Sequence, residues 1–293
     1  MIPDHVLREL RVIELATARK MRSLRAGPFT SRSRGDGFDF DELQPYRPGD
    51  DIRRIDWNVT ARLDAPFVRH THAERELKMV VVMDVSRSME LGTDARSKRE
   101  TMMFITASLV FSALAEQVNT GFVAFSDRVL VSAPPRRRRA AAWEILERCW
   151  AAAAGGGTTA ILPAVRHLLR TLRGMSIIFI VSDFMTNEDL FGGAEFRMLA
   201  TRHDVIAVVP QDGFEQALPA GPGYMQVRDL ESGRRAGMDL GAGSRQRFAA
   251  EVRHRRNSLA RTFYSLPIDH VFLDTRGPLV EPLLAVMASR TRR

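Results

Sequence analysis

The chain has 293 residues, of which 45% are hydrophobic and 27% charged, enough to bury a substantial core and ordinary for a globular protein. Its formal charge of +8 comes from 40 arginines and 3 lysines against 35 acids, and its single cysteine, Cys149, excludes an intrachain disulfide and suits a reducing compartment. The longest strongly apolar stretch, 101–115, is shorter than the roughly 20 residues a membrane helix needs, and the charged N-terminus lacks a signal-peptide core, so a soluble cytoplasmic protein without a membrane span is expected.

Residues 4–25 read as one amphipathic helix. Asp4 stands at its N-cap, Val6, Leu7, Leu10, Ile13, Met21 and Leu24 form its apolar stripe, and Gly27-Pro28 ends it. Residues 28–76 are rich in Gly, Pro and Asp and are expected to be extended with turns. Having no period that would bury a face of its own, this segment is expected to wrap along the following domain. That gives 1–76 as helix plus wrapping segment and 77–293 as an α/β domain. From 79 onward, strands are expected at 79–84, 119–126, 128–132, 176–182, 204–210 and 269–274. Helices are expected at 97–117, 139–152, 160–173, 190–202, 243–264 and 278–290. Strands 119–126 and 128–132 meet at Ser126-Asp127 and form an antiparallel pair; the other alternations predict a doubly wound, mostly parallel sheet flanked by helices. Residues 211–240 read as an insertion with a hairpin, 224–230 against 234–240.

The first of these strands carries the chemistry. MVVVMDVSRSM, residues 79–89, is an apolar run ending in Asp84, with Ser86 and Ser88 at alternate positions. In parallel sheets ligands bind outside the carboxyl ends of the strands. One carboxylate and two hydroxyls there suit a hard divalent cation such as Mg²⁺. Serines after a strand also cap helices, but Ser97 with Glu100 already supplies the next helix's capping box. Two later segments extend the pattern: Gly155-Gly156-Gly157-Thr158-Thr159 just before a helix, and the strand 176–182 ending in Asp183.

Together these segments resemble the metal-ion-dependent adhesion site of the von Willebrand factor type A domain. The resemblance implies that Asp84, Ser86 and Ser88 form a first loop, Thr158 a second and Asp183 a third, around one Mg²⁺ or Mn²⁺. Thr158 is preferred to Thr159 because it directly follows the glycines. A sixth coordination position would be open to a partner's carboxylate. Upstream, residues 35–76 hold Glu42-Leu43, Tyr46-Arg47-Pro48-Gly49-Asp50-Asp51, Arg54-Ile55-Asp56-Trp57 and Ala61-Arg62, and they resemble the signature of a bacterial group catalogued as domain of unknown function 58. Proteins of that group resemble partners of MoxR-type AAA+ ATPases in chaperone-like assembly or maturation of other complexes. The implied function is a non-catalytic, metal-dependent protein-interaction module.

Other chemistries fit less well. A phosphatase built on a strand-end aspartate needs a second acid two residues on, where this chain has Ser86, and a partnered lysine downstream, which is not evident; a response-regulator receiver needs a suitably placed lysine, and Lys20, Lys78 and Lys98 are not so placed. A phosphatase-like metal-dependent hydrolase is therefore an alternative rather than the favoured reading. No phosphate-binding glycine loop, nucleophile elbow or zinc-type histidine spacing occurs. The arginine excess admits nucleic-acid binding as a further alternative, but no reader motif or basic–aromatic interleaving accompanies it. Trp57 is expected to be buried; Asp50, Asp51, Arg53, Arg54, Asp56 and Arg62 are expected to tie the wrapping segment down, with a partner surface as the alternative.

Overall fold

The computed structural model describes residues 2–23, 42–48, 50, 52, 55–63, 65–70, 77–93, 96–152, 157–230 and 233–290. In chain order these form α1 (Asp4–Ser23), β1 (Glu42–Pro45), α2 (Trp57–Leu63), β2 (Phe67–His70), β3 (Lys78–Asp84), α3 (Lys98–Ala115), β4 (Asn119–Phe125), β5 (Val129–Arg136), α4 (Arg139–Ala152), α5 (Leu162–Thr171), β6 (Ile177–Val181), α6 (Ala194–Arg202), β7 (Asp204–Gln211), α7 (Gly213–Gln216), β8 (Tyr224–Arg228), β9 (Arg235–Asp239), α8 (Ala242–Ser265), β10 (Asp269–Asp274) and α9 (Val280–Arg290). They divide into two compact units, Met1–Arg32 with Leu77–Arg293, and Ser33–Glu76. The first helix thus belongs with the α/β domain rather than with the segment that follows it.

The larger unit is built on a six-stranded sheet in the order β10-β7-β6-β3-β4-β5. All neighbours are parallel except β4 and β5, which pair antiparallel across the turn at Ser126-Asp127. This is the doubly wound, mostly parallel arrangement expected of a von Willebrand A-like domain. Alternate residues of the central strands feed two cores. Met79, Val81 and Met83 of β3 face one side with Phe122, Phe179 and Val208, where residues of α1, α3, α4 and α9 cover them. Val80 and Val82 face the other with Val123, Ile178 and Ile180, covered from α5, α6 and the end of α8. Burial of each Val or Met side chain contributes roughly 1.5–3 kcal/mol; because both faces of β3 are apolar and buried, its register is marked by the charged residues at its two ends, Lys78 and Asp84.

Chain direction then fixes where a ligand can sit. From β3 the chain crosses through α3 to β4 on one side, and later returns to β6 on the other side of β3. The carboxyl ends of β3 and β6 therefore flank the topological switch point, where a crevice opens in such sheets. The inserted hairpin forms as expected, with β8 and β9 antiparallel from Tyr224 opposite Asp239 to Arg228 opposite Arg235.

The smaller unit is more regular than expected. Strands β1 and β2 pair antiparallel, Glu42 opposite His70 through Pro45 opposite Phe67, and α2 lies between them in sequence. That helix was not legible as a periodic pattern because none of its residues is buried. It is nucleated locally instead: the Asp56 carboxylate accepts from the amides of Asn58 (3.0 Å) and Val59 (3.2 Å), an N-cap arrangement. Asp50 likewise accepts from the Arg47 amide at 2.8 Å, closing a turn. Two of the acids expected as ties thus shape their own segment. Trp57, expected to be buried, is 67% exposed, because as the first residue of α2 it stands on a helix without a buried face. The expected helix residue Leu24, the Gly27-Pro28 stop, Gly49, Asp51, Arg53 and Arg54 lie outside the described residues.

Candidate metal site

Asp84 ends β3, and its register places Met83 opposite Val181 of β6 and Asp84 itself opposite Phe125 of β4. The carboxylate is fully buried. Its Oδ1 accepts from the Ser86 amide at 2.9 Å, an Asx-type turn that reverses the first loop. Its Oδ2 accepts from the Ser182 hydroxyl at 2.7 Å, just past the end of β6. After this turn Arg87–Glu90 make one 3₁₀ turn, which returns Ser88 beside Ser86, their hydroxyls 3.0 Å apart.

The second loop is tied to the first by its backbone, the Arg87 amide donating to the Gly157 carbonyl at 3.0 Å. Gly157 runs close to Ser126 and Asp127, and a Cβ there would lie 3.1 Å from a side-chain oxygen of each, tighter than an ordinary van der Waals contact. Of the two threonines that follow, Thr158 is exposed and Thr159 is buried. The Thr159 hydroxyl donates to Ser86 Oγ at 2.8 Å. The residue turned toward the first loop is therefore Thr159, not Thr158. The reason is the entry to α5: the Ala160 amide donates to the Ser126 carbonyl and the amides of Ile161 and Leu162 to Glu188, which sets the threonine immediately before them inward. Gly155 and Gly156 lie outside the described residues.

Asp183 follows β6 and is also buried. One oxygen accepts from the Met185 amide at 2.9 Å. The other accepts at 2.8 Å from Nζ of Lys98, a lysine not expected near the site, whose side chain is completely buried and also donates to Glu215 Oε1 at 2.8 Å. Burial alone would lower the Lys98 pKa, but Asp183 and Glu215 together outweigh it and the net shift is upward. Burial, and then the charge of Asp183, push the Asp84 carboxyl from its ordinary 3.8 up to about 7, against the opposing hydrogen bonds from Ser182 and Ser86. Next to Asp183, Phe184 is held at φ 55°, a left-handed conformation that is uncommon for an aromatic residue and costs about 1–3 kcal/mol. The hydrogen bond its backbone N–H donates to Ser182 Oγ (3.0 Å) and its edge-on packing against Phe263 (5.1 Å between centroids) hold it there.

The ends of β3 and β6 and the loop leading into α5 thus meet at one place. The hydroxyls of Ser88, Ser86 and Thr159 form a chain beside the buried Asp84, with Asp183 close enough to perturb it. The donor set consists of oxygen atoms only, hard ligands of the kind Mg²⁺ or Mn²⁺ takes, and the charge of Asp183 is met in part by the Lys98 ammonium. Among the described residues no cluster of three or more His, Cys, Asp or Glu side chains forms a metal site. This candidate has two carboxylates and depends on hydroxyls for the rest. Sequence reasoning missed Lys98, Ser182, Glu188 and Glu215, all of which act across the fold. The one local signal was Lys98 in the first turn of α3, where the helix dipole disfavours a cation.

The fold and site define a class: a doubly wound α/β domain with clustered oxygen donors at its switch point. Within it, the chain belongs to the family described as Protein of unknown function DUF58, which matches residues 42–258. It is 28% identical over 287 residues, covering 97% of this chain and 89% of the relative, to the uncharacterized protein Rv1480 of Mycobacterium tuberculosis. The same values hold for the uncharacterized protein Mb1516 of Mycobacterium bovis. Among solved structures it is similar to the conserved hypothetical protein BatB from Bacteroides thetaiotaomicron, with a TM-score of 0.49 and 15% identity over 74% of this chain and 100% of that one. It is also similar to a von Willebrand factor type A protein from Catenulispora acidiphila, with a TM-score of 0.33 and 11% identity over 77% of this chain and 44% of that one.

Proposed function

We propose that this chain is a non-catalytic protein-recognition module whose switch-point site holds Mg²⁺ or Mn²⁺ through Asp84, Ser86, Ser88 and Thr159, with Asp183 supporting it. The observation that carries the reading is the chain of three hydroxyls beside two buried carboxylates, drawn from three separate loops. When bound, a divalent ion there supplies positive charge to an incoming carboxylate. The residues of this chain do the rest. Ser182 and the Ser86 amide orient Asp84, Glu188 fixes the entry to α5 and so the inward turn of Thr159, and Lys98 holds Asp183. Around them the exposed residues Arg87, Thr158 and Met185 (41% exposed) offer a mixed rim of the kind that surrounds a protein contact.

A nucleophilic role for Asp84 is disfavoured. A phosphatase of this kind needs a general acid two residues after its nucleophile, and that position holds Ser86, whose hydroxyl instead accepts from Thr159. The partner we propose is a MoxR-type AAA+ ATPase or its client, supplying an Asp or Glu to the site, in assembly or maturation of other protein complexes inside the cytoplasm. No helix among the described residues is long and apolar enough to cross a membrane. Pull-down of the ATPase by the purified chain, with and without EDTA, tests the reading. Recovery should fall with chelator and return with Mg²⁺; recovery indifferent to chelator sinks the metal bridge.

A further inference from the structure

Lys98 is unusual on every physical count. A lysine side chain is almost never fully buried, and a buried ion pair is often no more stabilising than apolar residues of the same volume. Yet Lys98 has no exposure at all and spends its ammonium on two carboxylates, Asp183 and Glu215, each at 2.8 Å. Those carboxylates differ. Asp183 is 5% exposed, whereas Glu215 is 24% exposed and so is partly screened by water. Counting only the two aspartates and the lysine, with Asp84 ionised as it is above pH 7, the site holds two negative charges and one positive. A divalent ion added to the two aspartates alone would leave the site neutral. Added to the aspartates and Lys98, it leaves one surplus positive charge.

We infer that Lys98 is the specificity-determining residue of this site, weakening its hold on the cation and reserving the open coordination position for an anionic ligand, a carboxylate. This rests on the metal reading above. The ammonium also positions Asp183: with one oxygen engaged by Lys98 and the other by the Met185 amide, that carboxylate cannot swing to embrace the cation with both oxygens. Glu215 moderates the effect by drawing part of the ammonium's field toward the turn after β7, where its other oxygen accepts from the Asp212 amide at 3.0 Å.

The test uses the full chain near neutral pH. Mn²⁺ affinity is read from the free-ion EPR signal, and acetate binding from the fall in water-proton relaxivity of the Mn²⁺-loaded protein. Lys98→Met should bind Mn²⁺ at least about tenfold tighter and acetate several-fold more weakly, the two moving in opposite directions because one positive charge has gone. Lys98→Arg should leave both within about twofold. A purely structural Lys98 predicts the reverse for the metal, since Lys98→Met would then loosen Asp183 and weaken Mn²⁺. Weaker or unchanged Mn²⁺ binding, or unchanged acetate binding, overturns the inference. Should Lys98→Met fail to fold, Glu215→Gln decides: Mn²⁺ several-fold weaker and acetate tighter supports the assignment, and no change in either overturns it. A wild-type protein that binds no Mn²⁺ removes the metal reading and this inference with it, whereas binding that ignores Lys98 and Glu215 removes the inference alone.

Discussion

Replacing Asp84 by asparagine keeps the shape of the side chain and removes its charge, and the structure gives the size of the effect. Burial and Asp183 raise the Asp84 carboxyl from 3.8 to about 7. A rise of roughly three pH units corresponds to about 4 kcal/mol at about 1.4 kcal/mol per unit. The unfolded chain releases this proton near its ordinary value while the folded chain keeps it until near 7. Between those values the folded state binds more protons, so stability falls as pH rises and levels off above 7. The amide has one acceptor oxygen where the carboxylate used two, for Ser86 and Ser182. Losing one buried hydrogen bond costs about 1–3 kcal/mol. In EDTA at pH 8, Asp84→Asn should therefore be more stable than the wild type by about 1–3 kcal/mol. Near pH 4.5 the wild type is mostly protonated when folded, and the order should reverse. Urea denaturation at the two pH values measures both differences, and excess Mg²⁺ at pH 8 should stabilise the wild type but not the variant. A stability difference that does not change with pH, or a variant weaker at pH 8, refutes the reasoning.

The two adjacent threonines give a paired control: Thr159→Val should weaken Mn²⁺ binding at least about tenfold and Thr158→Val less than about twofold, and equal effects from both would refute the assigned orientation. Glu188→Ala leaves the Ile161 and Leu162 amides at the start of α5 without their acceptor. It should cost about 1–2 kcal/mol in urea denaturation, as for loss of a helix cap, and a cost near zero would mean these amides find another partner. Cys149 is completely buried and its thiol is raised by that burial. In the native protein it should resist a thiol-specific reagent and react only on unfolding; rapid labelling without denaturant would contradict its place in the core.

The sheet was legible because its strands obey rules that act along the chain. The uninterrupted apolar run before Asp84 and the run before Asp183 each form a strand buried on both faces, and Ser97 with Glu100 marks the start of α3 through a complete capping box. The hairpin in 211–240 announced itself by two short alternating segments around Ser232-Gly233. Where the reading failed, the deciding partner lay far away in sequence. Thr158 and Thr159 are chemically alike, and the contacts that set which of them turns inward come from afar: the Ser126 carbonyl, Thr186, and Glu188, 27 positions beyond Ile161. Lys98 reaches Asp183 across 85 positions and Glu215 across 117, so no window of sequence contains the contact. Ser182 becomes a neighbour of Asp84 only through the β3–β6 register. Trp57 went wrong for the opposite reason: a large aromatic side chain reads as core, but α2 is held by the Asp56 cap and has no buried face.

X-ray diffraction from crystals grown with Mn²⁺, collected where manganese scatters anomalously, is the most direct check on the proposed centre. A single strong anomalous peak in contact with Asp84, Ser86, Ser88 and Thr159 is expected, lost in crystals of Asp84→Ala. A peak elsewhere, or density around those oxygens explained by Lys98 and water alone, would contradict it.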